Sequence, residues 1–190
     1  MVALTIDTRE LKKVRAVLAH IENGVPRVLV PAINRALAKG RTEVKREIRK
    51  EYLIKAKDIP VIVHQAHAGN IGGSISLSDH MLDLSKFVYK PKGVQRRGKK
   101  RILFAQVKRG GGGNIGPGFV AQVGSGYKGP FMRKGASRLP INKLLTISAP
   151  IMASQVAVGP NIVDAMAETL DKRLDHELER VLKTATHGGH

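Results

Sequence analysis

Histidine has the widest chemical range of the residue types in this chain, and three of its seven histidines lie close together: His64, His67 and His80. With Asp79 or Asp83 they could supply the three or four donors that a tetrahedral metal site needs. The local pattern argues against it. Residues 62–66 read as a strand, and alternation along a strand points His64 and His67 to opposite faces. They read as surface or interface histidines. His187 and His190 lie in a glycine-containing tail, where chain ends are commonly mobile.

Nucleophilic chemistry finds no better support. No serine sits in a nucleophile elbow. The run Gly110 to Gly113 lacks the lysine and hydroxyl of a phosphate loop, and Gly124-Ser-Gly-Tyr-Lys-Gly129 reads as a turn between strands. There is no cysteine, which removes disulfides, thiolate nucleophiles and Cys-ligated zinc. No catalytic, cofactor-binding or metal-ligating residue is expected, and no enzyme.

What the chain offers instead is positive charge. Lys and Arg number 33 against 15 Asp and Glu, a net of +18. The acids stop at Asp83 and resume at Asp164; the 80 residues between carry 15 Lys or Arg and no acid. A one-signed field of this size implies a negative partner: nucleic acid, an anionic surface or acidic protein neighbours. No apolar run approaches the ~20 residues that cross a bilayer, and the mixed charges of the first 25 residues are unlike a signal peptide. No membrane is expected. With four Phe, three Tyr and no Trp, the chain is poorly equipped to stack single-stranded bases.

Within the basic window, Lys92, Arg96, Arg97, Lys99, Lys100, Arg101, Lys108 and Arg109 are the candidate contacts to DNA or to an acidic neighbour. Five of them fall between residues 96 and 101. Packed in a core they would repel one another and lose hydration, so a solvated loop over 91–101 is expected. Arg133, Arg138, Leu139, Pro140 and Ile141 form a second group. Pro140 fixes φ between two large apolar side chains, which reads as a rigid lead into the last core segment. The two arginines suit a carboxylate or carbonyl in the fold or in a neighbouring copy.

These residues need elements to hold them. Asp7 or Thr8 caps a first helix to about Asn23, with Leu11, Val14, Leu18 and Ile21 on one face. A second helix is expected from near Pro26 towards Ala56, burying Ile33, Leu37, Val44, Ile48 and Tyr52. Pro31 kinks its opening turn or marks its true start, and Asp58-Ile-Pro60 closes it. The period then changes from 3.6 to two. Residues 62–66, 74–77, 84–89, 102–107, 119–123 and 130–133 read as strands, mostly antiparallel. The glycine run is too costly in entropy for a strand interior, so a Gly-rich loop over 109–118 is expected to stand out from the body. Residues 151–158 form a helical turn or two, and Gly159-Pro160 breaks the chain. A last helix runs from Asn161 to about Lys183 on the stripe Val163, Met166, Leu170, Leu174, Leu178 and Val181. From Asp164 onward the chain nets −2, so one copy's helix could lie beside another's basic region.

The expectation is an α+β fold: long N-terminal helices packed on an antiparallel, partly curled β-sheet, with a C-terminal amphipathic helix. Residues 1–183 read as one domain and 184–190 as a flexible tail.

Three blocks, in order, resemble the minor tail protein Z family of tailed bacteriophages, also described as tail completion proteins. The first is Pro31-Ala-Ile-Asn-Arg-Ala-Leu-Ala38, with Arg46-Glu-Ile-Arg49 and Tyr52-Leu-Ile-Lys-Ala-Lys-Asp58. The second is Phe119-Val-Ala121, with Gly129, Phe131, Arg133 and Gly135. The third is Arg138-Leu-Pro-Ile-Asn-Lys-Leu144 and Ser148-Ala-Pro-Ile-Met152 before a charged terminal helix. The resemblance implies a structural virion protein of tail or neck, acting in tail completion and head–tail joining. It also implies a homo-oligomeric ring, six-fold by preference, around the DNA path. Other tail or neck proteins and non-specific contact with genomic DNA are the implied partners, with host cytoplasm the place of assembly. The alternative from composition is a sequence-independent nucleic-acid-binding module of ribosomal or architectural type.

Overall fold

A computed structural model of the 190-residue chain describes residues 2–4, 14, 16–21, 23–94, 102–124, 126–156 and 159–187. The start of the expected first helix and the cluster Arg96 to Arg101 lie outside the described residues. The fold is α+β, with a long N-terminal helix, a C-terminal helix and antiparallel strands. It divides into two units, each built from separate stretches of chain: Met1–Lys45, Val61–Leu77 and Ala157–His190 in unit 1, Arg46–Pro60 and Ser78–Val156 in unit 2.

Unit 1 is organised by helix α1 (Gly24–Glu51), which leaves the unit after Lys45. Asn23 adopts the left-handed conformation, φ 53°, and its carbonyl accepts from Arg27 N–H at 3.1 Å to open the helix. The helix therefore starts ahead of Pro26, and Pro31 lies inside it. An interior proline forfeits a backbone bond and costs about 3 kcal/mol. Burial offsets that, because Val28, Leu29, Ala32, Ile33, Ala36 and Leu37 are all at most 2% exposed.

Strands β1 (Val2–Leu4), β2 (Val61–His64) and β3 (Gly73–Leu77) form an antiparallel sheet with β3 central. Val2 and Val63 both pair with Ile75. Gly73 lets α1 approach, since a Cβ there would meet Leu37 and Ile33. Asn34 fixes the loop after β2, its amide giving Nδ2–H to Ala66 O at 3.0 Å while Oδ1 accepts from Ala66 N at 2.8 Å.

Helix α3 (Gly159–His187), which follows a short helix α2 (Ala149–Gln155) of unit 2 in the chain, completes unit 1. It begins two residues before Asn161, with Gly159-Pro160 inside its first turn, and it continues past Lys183. The buried stripe is Ile162, Met166, Leu170, Leu174 and Val181. Val163, expected in it, is 48% exposed.

Unit 2 is mostly β. Strands β5 (Val88–Lys90), β6 (Leu103–Gln106) and β7 (Gly113–Ile115) make one antiparallel sheet, and β8 (Phe119–Gln122), β9 (Lys128–Arg133) and β10 (Ile141–Lys143) another. Strands β4 (Met81–Asp83) and β11 (Leu145–Ser148) pair irregularly. Leu84, Tyr89, Leu103, Ala105 and Val120 form a shared core with Leu144 against it. Residues 84–89, expected as one strand, are a 3-10 turn (Leu84–Lys86) followed by β5; Asp83 caps the turn, its Oδ1 accepting from Ser85 N–H at 2.9 Å.

The last turn of α1 (Arg46–Glu51) and helix α2 (Ala149–Gln155) also belong to unit 2. Tyr52 OH donates to Gln155 Oε1 at 2.5 Å. The helix stops at Glu51, short of the expected Ala56, because the chain there turns to sheet-like pairing: Leu53 N–H donates to Val107 O at 2.9 Å and Arg109 N–H to Glu51 O. Ala56–Asp58 is a separate 3-10 turn.

Candidate functional site

Charge is segregated between the two units. Unit 2 holds 20 Lys or Arg against 5 acids, a net of +15, and unit 1 holds 13 against 10, a net of +3. The candidate site is therefore sought on unit 2, and there the second group of candidate residues comes together.

Antiparallel pairing sets opposed residues on the same face. Phe119 pairs with Phe131, and Arg133 with Ile141, so alternation puts all four on one side of the β8–β9–β10 sheet. Val120, offset by one, faces the core. Arg133 Cζ lies 5.7 Å from the Phe119 ring centroid, within cation–π range. The β9–β10 connection folds back over this side, closed by Lys134 N–H donating to Pro140 O at 3.1 Å, and Leu139–Pro140 is a cis peptide. The result is an open concavity of about 610 Å³ lined by Phe119, Val123, Arg133, Arg138, Leu139 and Ile141 among others. Leu139 is 67% exposed at it. Two guanidinium groups beside an apolar wall suit a carboxylate carried next to an aliphatic side chain.

Beside it, Tyr127 packs edge-on to Phe131 with ring centroids 5.7 Å apart, and Lys143 Nζ sits 3.9 Å from the Tyr127 centroid. Tyr127 OH donates to Asp83 Oδ2 at 2.5 Å. Burial, then the bond to Asp83, pushes the Tyr127 hydroxyl up to about 12.

Of the first group of candidates, Lys92, Lys108 and Arg109 fall among the described residues, and each makes its own local contact. Lys92 Nζ lies 3.4 Å over the Tyr89 ring, and burial followed by the nearby Lys55 charge lowers its pKa. Lys108 Nζ is 3.0 Å from Glu51 Oε2, which raises its pKa by hydrogen bond and charge. Arg109 Nε donates to Arg49 O at 3.3 Å, meeting a free carbonyl near the end of α1. Lys108 and Arg109 thus tie the Gly-rich segment to the helix end. That segment does not stand out as a loop: Gly111 N–H donates to Lys108 O in a turn, and Gly113 opens β7 opposite Ala105.

His64 is exposed on β2, and His67 exchanges backbone bonds with Asn70. Both Asp83 oxygens accept hydrogen bonds. Among the described residues no three His, Cys, Asp or Glu gather as metal ligands, and no helix is long and apolar enough to cross a membrane.

Sequence reasoning isolated Arg133 and residues 138–141 but missed Phe119, Val123 and Lys143 as their companions. The signal lies in strand register, which no local pattern carries.

Compared with known proteins, residues 10–187 match the family model described as Prophage minor tail protein Z (GPZ). No curated protein and no solved structure matches the chain.

Proposed function

Because the chain belongs to the prophage minor tail protein Z family, a family of structural phage tail proteins, we propose that it completes the tail and joins it to the head as a ring of copies around the DNA path. The observation that carries this reading is the segregation of charge: unit 2 holds +15 of the +18. Closed symmetry would repeat that field around an axis, and DNA on the axis is a polyanion met through its phosphates, independent of base sequence. Six copies is the expected number, by likeness to the six-fold neck and tube that such a ring would serve. Arg96, Arg97, Lys99, Lys100 and Arg101 are proposed to face the lumen or an acidic neighbouring ring, with Lys92 as an accessory.

The test changes those five residues to Ser. It then measures incorporation into tails and DNA retention across a salt series. A lumen role predicts normal incorporation with weakened retention, the wild-type retention falling steeply with salt. A neighbour role predicts failed joining with unchanged DNA affinity. Normal behaviour in both assays would leave the cluster without a partner. Class averages of tail ends should show a closed ring; a single off-axis copy would refute it.

A further inference from the structure

Among the described residues, none that lines the concavity on the β8–β9–β10 sheet is acidic. Arg133 and Arg138 make no ion pair among the described residues. A surface with the opposite character exists on the same chain. On α3, Asp164, Glu168, Asp171, Asp175 and Glu179 follow one another at spacings of four, three, four and four, which sets them in one row along the helix. All five are exposed. Glu168 and Glu179 bond Lys172 and Lys183 at the surface. Asp164, Asp171 and Asp175 make no ion pair among the described residues. Leu182 lies seven residues after Asp175, on the same side, and is 37% exposed. Carboxylates beside an aliphatic side chain are what two guanidiniums beside Leu139 and Ile141 would accept.

We infer that the carboxylate row of α3 on one copy docks into the arginine-lined concavity of a second copy. This rests on the ring reading and names its contact. The two surfaces differ, so the contact is head-to-tail; each copy offers both halves, and a closing rotation makes a ring. The net charge of +18 per copy opposes association over distance. At physiological salt the Debye length is about 8 Å, so facing groups outweigh the total charge. A phosphate backbone would match the arginines but brings no aliphatic group to cover Leu139, Ile141 and Val123. Those residues favour the helix over DNA.

The absence of cysteine gives a clean test. Leu139→Cys combined with Leu182→Cys, mildly oxidised in assembled tails, should yield a ladder of covalent multimers, and each single variant should yield none above a dimer. Charge reversal supplies an independent readout. Arg133→Glu with Arg138→Glu, and separately Asp171→Arg with Asp175→Arg, should each cut incorporation at least ~10-fold. Combining the four should restore it to within about 2-fold. Thermal melts of the reversed proteins should stay cooperative and close to the parent, the arginine pair losing only the contact of Arg133 with the Phe119 ring, because all four sites are exposed. Reversals that leave incorporation intact, or a quadruple variant no better than either pair, overturn the docking. Loss of DNA retention with normal incorporation assigns the concavity to DNA and also overturns it. A closed ring in micrographs without ladder or rescue defeats the docking and leaves the ring; a single copy per tail defeats both.

Discussion

Tyr127 donates its hydroxyl to Asp83 across 44 positions of sequence, tying the last acid before the 80-residue basic stretch to a ring in the middle of that stretch. Removing that hydroxyl in Tyr127→Phe should lower stability by about 1.5–3 kcal/mol at neutral pH, the range for a hydrogen bond to a charged group. The folded hydroxyl titrates at about 12, above its ordinary 10.0. The native state therefore holds the proton more tightly than the unfolded chain. Its contribution is complete below pH 10 and is lost between about 10 and 12. Denaturant melts across that range should show a steeper decline in the parent than in Tyr127→Phe; parallel declines would disprove the assignment.

Gly40 should discriminate by size. A Cβ there would press on Met166 Sδ and Cγ and on Ile75 Cδ1, in side chains that are themselves buried. Gly40→Ala should cost about 1 kcal/mol, because a helix-propensity gain of up to about 1 kcal/mol only partly offsets the crowding. Gly40→Leu should cost about 1–3 kcal/mol through overpacking. Thermal unfolding of the two variants checks this.

Leu37 and Ile48 are fully buried on α1, one in each unit. Replacing either with Ala should cost about 2–5 kcal/mol in chemical denaturation. Losses under 1 kcal/mol would place the side chain at a surface.

The glycine run should respond unevenly to alanine. Gly110 holds φ 74° and Gly113 does not share that conformation. Gly110→Ala should destabilise by about 1 kcal/mol from left-handed strain. Gly113→Ala meets nothing within 4 Å and should be neutral or stabilising by up to about 1 kcal/mol. Equal effects at the two positions would show that the β6–β7 turn differs from the one described.

Much of the helical layer was legible in the sequence, because helix periodicity is local. Ile33, Leu37, Val44, Ile48 and Tyr52 are all buried as their spacing required. Tyr52 also shows the limit. It is buried beyond the last turn of α1, where pairing with Lys108 replaces the helix, and only a partner 56 positions away decides that. Val163 and Ile162 exchange roles, Ile162 buried and Val163 48% exposed, because both lie at helical spacing from Met166 and packing alone chooses between them. Gly113 joins a strand despite its entropy cost, since bonding to β6 supplies what propensity denies. Arg138-Leu-Pro-Ile141 stood out as a motif, but Phe119 beneath Arg133 depends on register, a property of two strands together.

Order of synthesis follows from the way the two units are threaded. Every residue of unit 2 precedes Ala157, whereas unit 1 waits for Ala157–His190. At about 5–20 residues per second, the interval between them is on the order of seconds. A nascent chain thus completes the stretches of its arginine-lined concavity before it has the acidic helix proposed to fill a neighbour's. Under the docking proposed above, a chain still being made can receive a finished copy's helix but cannot yet offer its own.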